Sequence, residues 1–151
     1  MKKVIIAIDY DPSAQNVAEK GYALAKAMSA ETILLHVIAA PAYYSSMEYS
    51  PIMGFIGFTD THIPEMVENE LKIEAMRFLN QSKQHLGELN IKTMVAEGTI
   101  AEAVMRVAEE EQADLVVLGR HSRRGLGKLL IGSVAEKVLH HSPIPVYIIP
   151  N

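Results

Sequence analysis

Apolar residues cluster in short runs at 4–8, 32–38, 91–96, 114–118 and 146–149, and helical spacing fills most of the gaps between them. The runs at 4–8 and 32–38 are β-branched and nearly continuous, the pattern of parallel strands covered on both faces. After the first run, Asp11-Pro12-Ser13 offers an N-cap candidate before a proline at the first helical position, and Ala14, Val17, Ala18, Gly21, Ala25 and Met28 recur at helical spacing. Pro64 opens a longer helix with Val67, Leu71, Ala75, Phe78, Leu79 and Leu86 on its apolar face and Gly87 as its stop. Thr99 and Glu102 form a capping-box signature for a helix through about Glu111. A last helix runs from Gly132 to about His140, broken by His141-Ser142-Pro143-Ile144-Pro145. This alternation predicts a single α/β domain over 1–151, a Rossmann-like, doubly wound, five-stranded parallel sheet. Ligands are then expected at the carboxyl ends of the strands, where the strand order reverses.

One stretch escapes the alternation. Between residues 41 and 63 prolines and glycines punctuate a segment rich in tyrosine, methionine and phenylalanine, longer than the roughly 12–15 residues of an ordinary connection. It either packs against its own domain or serves as a lid or partner-contact surface. His36 lies within the second run, without a partner motif, and is expected to be a partly buried histidine satisfied by a neighbour. Glu65, Glu68, Glu70 and Glu74 read as a solvated, helix-start face rather than a metal site, because no histidine groups with them.

Composition narrows the classes. Apolar residues make up 49% and charged residues 21% of the chain, an ordinary globular balance. The absence of cysteine excludes disulfides, thiol catalysis and cysteine-held metals. A net charge of −4 argues against nucleic-acid binding by the whole surface, although Arg120, Arg123, Arg124 and Lys128 make a local basic cluster. Met1-Lys2-Lys3 resembles the flank of a signal peptide, but the apolar run behind it is only strand-length, and no run approaches the roughly 20 residues of a membrane span. A cytoplasmic protein without membrane contact is expected.

Asp9, Val37, Gly98 and Gly119 fall at or just past predicted strand ends, so the fold should bring them to one edge of the sheet. The stretch 115–134 reads as strand, glycine-punctuated basic loop and helix start, an order that suits a phosphate, because glycines let backbone N–H groups approach an anion and helix-start N–H groups point at it. A tight turn between strand and helix explains the same glycines. A P-loop is excluded: Gly127-Lys128 is followed by Leu129, and Ser122 stands at the first glycine position. The dinucleotide fingerprint fails too, since Gly125-Leu126-Gly127 has no third glycine and lies far from the first strand. No nucleophile elbow, zincin helix or triad is present.

Gly119, two residues, Ser122, nine residues, then Gly132-Ser133 is similar to the Gly-2x-Gly-9x-Gly-Ser/Thr nucleotide motif of universal stress proteins. The Ile8-Asp9 strand end, Leu35-His36-Val37, Glu97-Gly98 and Ser142-Pro-Ile-Pro-Val146 extend the resemblance across the whole chain. It implies strand order 3-2-1-4-5 and a homodimer through the last strand, Val146, Tyr147, Ile148 and Ile149. It also implies ATP, with Mg2+ on the phosphates: Ala7, Asp9 and Val37 at the nucleoside end, Gly98 by the ribose, and Gly119, Arg120, Ser122, Gly132, Ser133 and Val134 along the phosphates. Two departures stand out: Ser122 replaces the motif's second glycine, and Tyr10 the glycine that often follows the first-strand aspartate. If the motif needs a positive φ, a serine there costs about 1–2 kcal/mol. If it needs only room, the hydroxyl can donate a hydrogen bond.

The resemblance thus points to an ATP-binding stress-response protein, a dimeric sensor or regulator with an unidentified protein partner and at most slow hydrolysis, since no oriented nucleophile or charge clamp is visible. The alternative is a dimeric interaction module of the same family that binds no nucleotide. An adenylating enzyme on a related fold fits less well, because Asp9-Tyr10-Asp11-Pro12 replaces the Ser-Gly-Gly loop of such enzymes.

Overall fold

The computed structural model describes residues 1–39, 65–120 and 131–150, so the 41–63 stretch and Ser122 lie outside the described residues. In chain order the elements are β1 (Lys3–Ala7), α1 (Ala14–Ala27), β2 (Glu31–Ala39), α2 (Glu65–Leu86), β3 (Lys92–Gly98), α3 (Ile100–Glu110), β4 (Leu115–Gly119), α4 (Ser133–His141) and β5 (Val146–Ile149). The strands pair in parallel in the order β3-β2-β1-β4-β5, as expected. The register sets Ile5 beside Ile33 and Val116, and Ile6 beside Leu34 and Val117.

Because strand side chains alternate between faces, this register sorts the core into two layers. Ile5, Ile33, Leu35, Val116 and Leu118 pack against Ala101, Val104, Val107 and Ala108 of α3 and Val138 of α4. On the other face, Val4, Ile6, Leu34 and Val117 meet Val17, Ala18 and Ala25 of α1 and Leu79 of α2. Each valine, leucine or isoleucine among them withdrawn fully from water stabilises the fold by roughly 1.5–3 kcal/mol.

The helix ends show where local chemistry holds and where it does not. Asp11 Oδ1 accepts the Ser13 N–H at 2.9 Å, and the Ala14 N–H bonds the Asp11 carbonyl at 2.9 Å, a turn that leads into α1, whose N-cap is Ser13 without a side-chain capping bond. Gly87 closes α2 at φ 71°, a conformation that suits glycine. Thr99 is the N-cap of α3, yet its side chain makes no capping bond, so the expected capping box does not form. Thr99 is exposed, and water can take the orphan N–H groups there.

The sheet has two edges. At β3, Glu97 pairs with Lys72 at 3.1 Å and Lys92 with Glu111 at 2.9 Å, placing charge along that rim. At β5, Tyr147 is half exposed. No helix among the described residues is long and apolar enough to cross a membrane.

Gly21 sets how closely α1 approaches the sheet. A Cβ there would lie 3.0 Å from Ile6 Cδ1 and 3.1 Å from Val117 Cγ1. An alanine gains about 1 kcal/mol of helix propensity against that crowding, whereas a valine adds two branches to a filled core. Gly21→Val is therefore expected to lose about 1–3 kcal/mol, read as a lower urea midpoint and a melting temperature reduced by about 2–4 °C per kcal/mol.

Candidate functional site

β1 and β4 are adjacent, but the chain leaves β1 toward α1 on one face, while α3 and α4 flank β4 on the other. At their carboxyl ends the divergence leaves a cleft of about 650 Å3, counting its open mouth. Its apolar wall comes from Leu35, Val37, Ile100, Val104 and Leu118, and α1 contributes Ala14 and Val17. The polar groups facing it include Asp9, Ser13 and Arg120.

The β1–α1 turn is wound by its own carboxylates. Asp9 Oδ1 accepts the Asp11 N–H at 3.0 Å, and Asp11 Oδ1 accepts the Ser13 hydroxyl at 2.5 Å. Burial pushes the Asp9 carboxyl up from 3.8 to about 6; the Asp11 N–H opposes the rise and the Asp11 charge adds to it. An acid shifted by desolvation inside a cleft is a candidate functional group.

Across the cleft, α4 starts without a side-chain cap on Gly132. Its first intrahelical bond runs from the Glu136 N–H to the Gly132 carbonyl at 2.9 Å, so the N–H groups of Ser133, Val134 and Ala135 have no partner within the helix. Gly132 itself is tied back, its N–H donating to the Arg120 carbonyl at 2.8 Å, while the Arg120 N–H donates to Ile149 at 2.9 Å. The φ of Gly132 is −61°, and Gly119 is not among the positive-φ residues, so neither glycine is required for a left-handed backbone. Ser122, where a positive φ and room are the two alternatives, lies outside the described residues.

Of the residues expected at the site, Ala7, Asp9, Val37, Gly119, Arg120, Gly132 and Val134 line the cleft together. Gly98 and Ser133 do not line it. Gly98 ends the edge strand β3, one strand beyond the wall formed by β2, and has φ 122°. Ser133 opens α4, where its backbone rather than its side chain is the candidate donor. The apolar wall was missed because Ile100, Val104 and Leu118 look like any core residues in the sequence; Leu35 could have been found, since alternation puts it on the face of Val37.

Tyr10 is absent from the cleft lining. It stacks on the opposite side of the sheet against His36 and Phe78, with centroid separations of 4.6 and 4.9 Å. His36 is buried, as expected, with Nδ1 2.9 Å from the Ile8 carbonyl. A carbonyl only accepts, so Nδ1 carries the proton, and burial pulls the imidazole below its usual pKa and favours the neutral form.

Comparison with known proteins places this geometry in a family. A family model described as the universal stress protein family matches residues 1–150. Universal stress protein MJ0577 of Methanocaldococcus jannaschii is 29% identical, over 98% of this chain and 94% of its own. Universal stress protein YxiE of Bacillus subtilis is 28% identical, over 97% of each chain. The solved structure of MJ0577 superposes with a TM-score of 0.74 at 26% identity, over 98% of this chain and 94% of that one. A universal stress protein solved in complex with cAMP gives 0.63 at 20% identity, over 98% and 95%. With a match spanning nearly the whole chain and a shared five-stranded sheet, the chain belongs to the universal stress protein family.

Proposed function

We propose that the cleft binds an adenine nucleotide, ATP in the first instance, and that the protein acts as a nucleotide-dependent dimeric regulator with little or slow hydrolysis. The observation that carries this reading is Asp9, a partly buried acid in the cleft at the sheet's switch point. Desolvating a carboxylate costs stability, and a ligand donor that completes its hydrogen bonding would offset that cost. The apolar wall suits a base, and the N–H groups at the start of α4, which have no partner within the helix, suit phosphate oxygens. Arg120, which also lines the cleft, adds positive charge there. Mg2+ would enter on the phosphates and neutralise part of their charge. Relatives of the same fold were solved with cAMP and with dAMP, which supports the adenine class.

Tyr10, one of two departures that favoured a module without nucleotide, lies outside the cleft lining and does not obstruct it. The dimer would form through Val146, Tyr147, Ile148 and Ile149, where β5 ends the sheet.

Calorimetry should give ATP-Mg2+ a Kd on the order of micromolar, and Gly132→Arg should abolish the heat by filling the approach to α4. No heat with ATP, ADP or AMP for the unaltered protein would overturn the reading. Sedimentation at micromolar concentration should show a dimer for both proteins.

Asp9 also sets a pH signature. Its folded pKa of about 6 lies above the ordinary 3.8, so the empty folded protein holds more protons than the unfolded chain between those values. Stability from this group is therefore greatest below pH 4 and is lost as pH rises through about 6. Asp9→Asn should match the unaltered protein below pH 4 and exceed it by about 2–3 kcal/mol above pH 7, measured by urea unfolding without ligand.

A further inference from the structure

Both chain neighbours of Asp9 are held by one residue on the far face of the sheet. His36 Nδ1 donates to the Ile8 carbonyl at 2.9 Å, and the His36 ring packs against Tyr10 at 4.6 Å, tilted by 41°. Phe78 of α2 closes the group from outside, edge-on to Tyr10 at 4.9 Å and to His36 at 5.7 Å. The Ile8 N–H bonds the Leu35 carbonyl at 2.9 Å, which carries β-type pairing one residue past β1. Ile8 packs in the α1/α2 core layer and also borders the cleft, Asp9 lines the cleft, and Tyr10 stands outside it in the ring cluster.

We propose that Tyr10 and His36 are positioning residues that aim Asp9 into the cleft, Tyr10 supplying a side-chain clamp on the turn that follows β1. Among the described residues the charge that acts on Asp9 is Asp11, next along the turn, and Arg120 lines the same cleft; Phe78, from α2, is neutral. Without the Tyr10 ring the turn loses its packing against His36 and Phe78, and the Asp9 carboxyl can swing toward water. The inference concerns the proposed nucleotide site, but the placement of Asp9 is measurable in the empty protein.

The test compares Tyr10→Ala with Tyr10→Phe. Tyr10 is half exposed, so neither change opens the core, and circular dichroism checks the fold. Asp9 is titrated through its carboxyl 13C resonance, assigned with Asp9→Asn. The unaltered protein and Tyr10→Phe should titrate at about 6, and Tyr10→Ala at least one unit lower, toward 3.8. The Kd for ATP-Mg2+ should rise by a factor of roughly 2–10 for each lost ring contact in Tyr10→Ala, and by less than about twofold in Tyr10→Phe. Phe78→Leu, which removes the outer ring, should shift both readouts in the same direction. An Asp9 midpoint unmoved in Tyr10→Ala, with or without a loss of stability, overturns the proposal. If the unaltered protein binds no nucleotide, the site reading fails and the Asp9 titration alone decides the clamp.

Discussion

A parallel strand cannot be joined to its neighbour by a hairpin, and the crossover helix that joins it must lie on one face of the sheet. In this chain the crossover from β1 and those flanking β4 take opposite faces, and the two strands lie side by side. Their carboxyl ends are thus the place that neither helix layer covers. The cleft, the exposure of the α4 N-terminus and the partial burial of Asp9 all descend from that divergence, as does the need for a close α1–sheet approach at Gly21.

The carboxylate at that divergence is costly. The bonds it receives from its own turn offset only part of the loss of water, so the empty fold carries an acid it would hold more readily protonated near neutral pH. Ionisable groups shifted by burial in a cleft are concentrated at functional sites. The rear cluster of Tyr10, His36 and Phe78 answers a mechanical question, how a short turn keeps such a group from escaping to solvent.

Much of the fold was legible because continuous β-branched runs and helical spacing differ sharply in period; strand limits moved by only a residue or two, as at Glu31–Ala39 against the expected 32–38. The start of α1 was legible from Asp11-Pro12-Ser13 only approximately: the helix begins at Ala14 with Ser13 as N-cap, and Asp11 holds the turn before it. The Thr99–Glu102 box was not reliable, because a signature states what the side chains could do, and exposure removed the need. At the site, Asp9 and Gly132 stood out as a charge after an apolar run and a glycine before a helix. Ile100 and Val104 did not, since a wall residue differs from a core residue only in what lies beyond it. The contact of His36 with Ile8 joins residues far apart in sequence through the β1–β2 register, which no local pattern encodes.

The two rims of the sheet are unlike each other, charged at β3 and half-exposed tyrosine at β5. A two-fold union at β5 would merge two sheets into one continuous sheet and turn both ion-paired β3 rims outward. The edges left in such a pair would be the two β3 rims, where the Lys72–Glu97 and Lys92–Glu111 pairs set charge against further strand pairing.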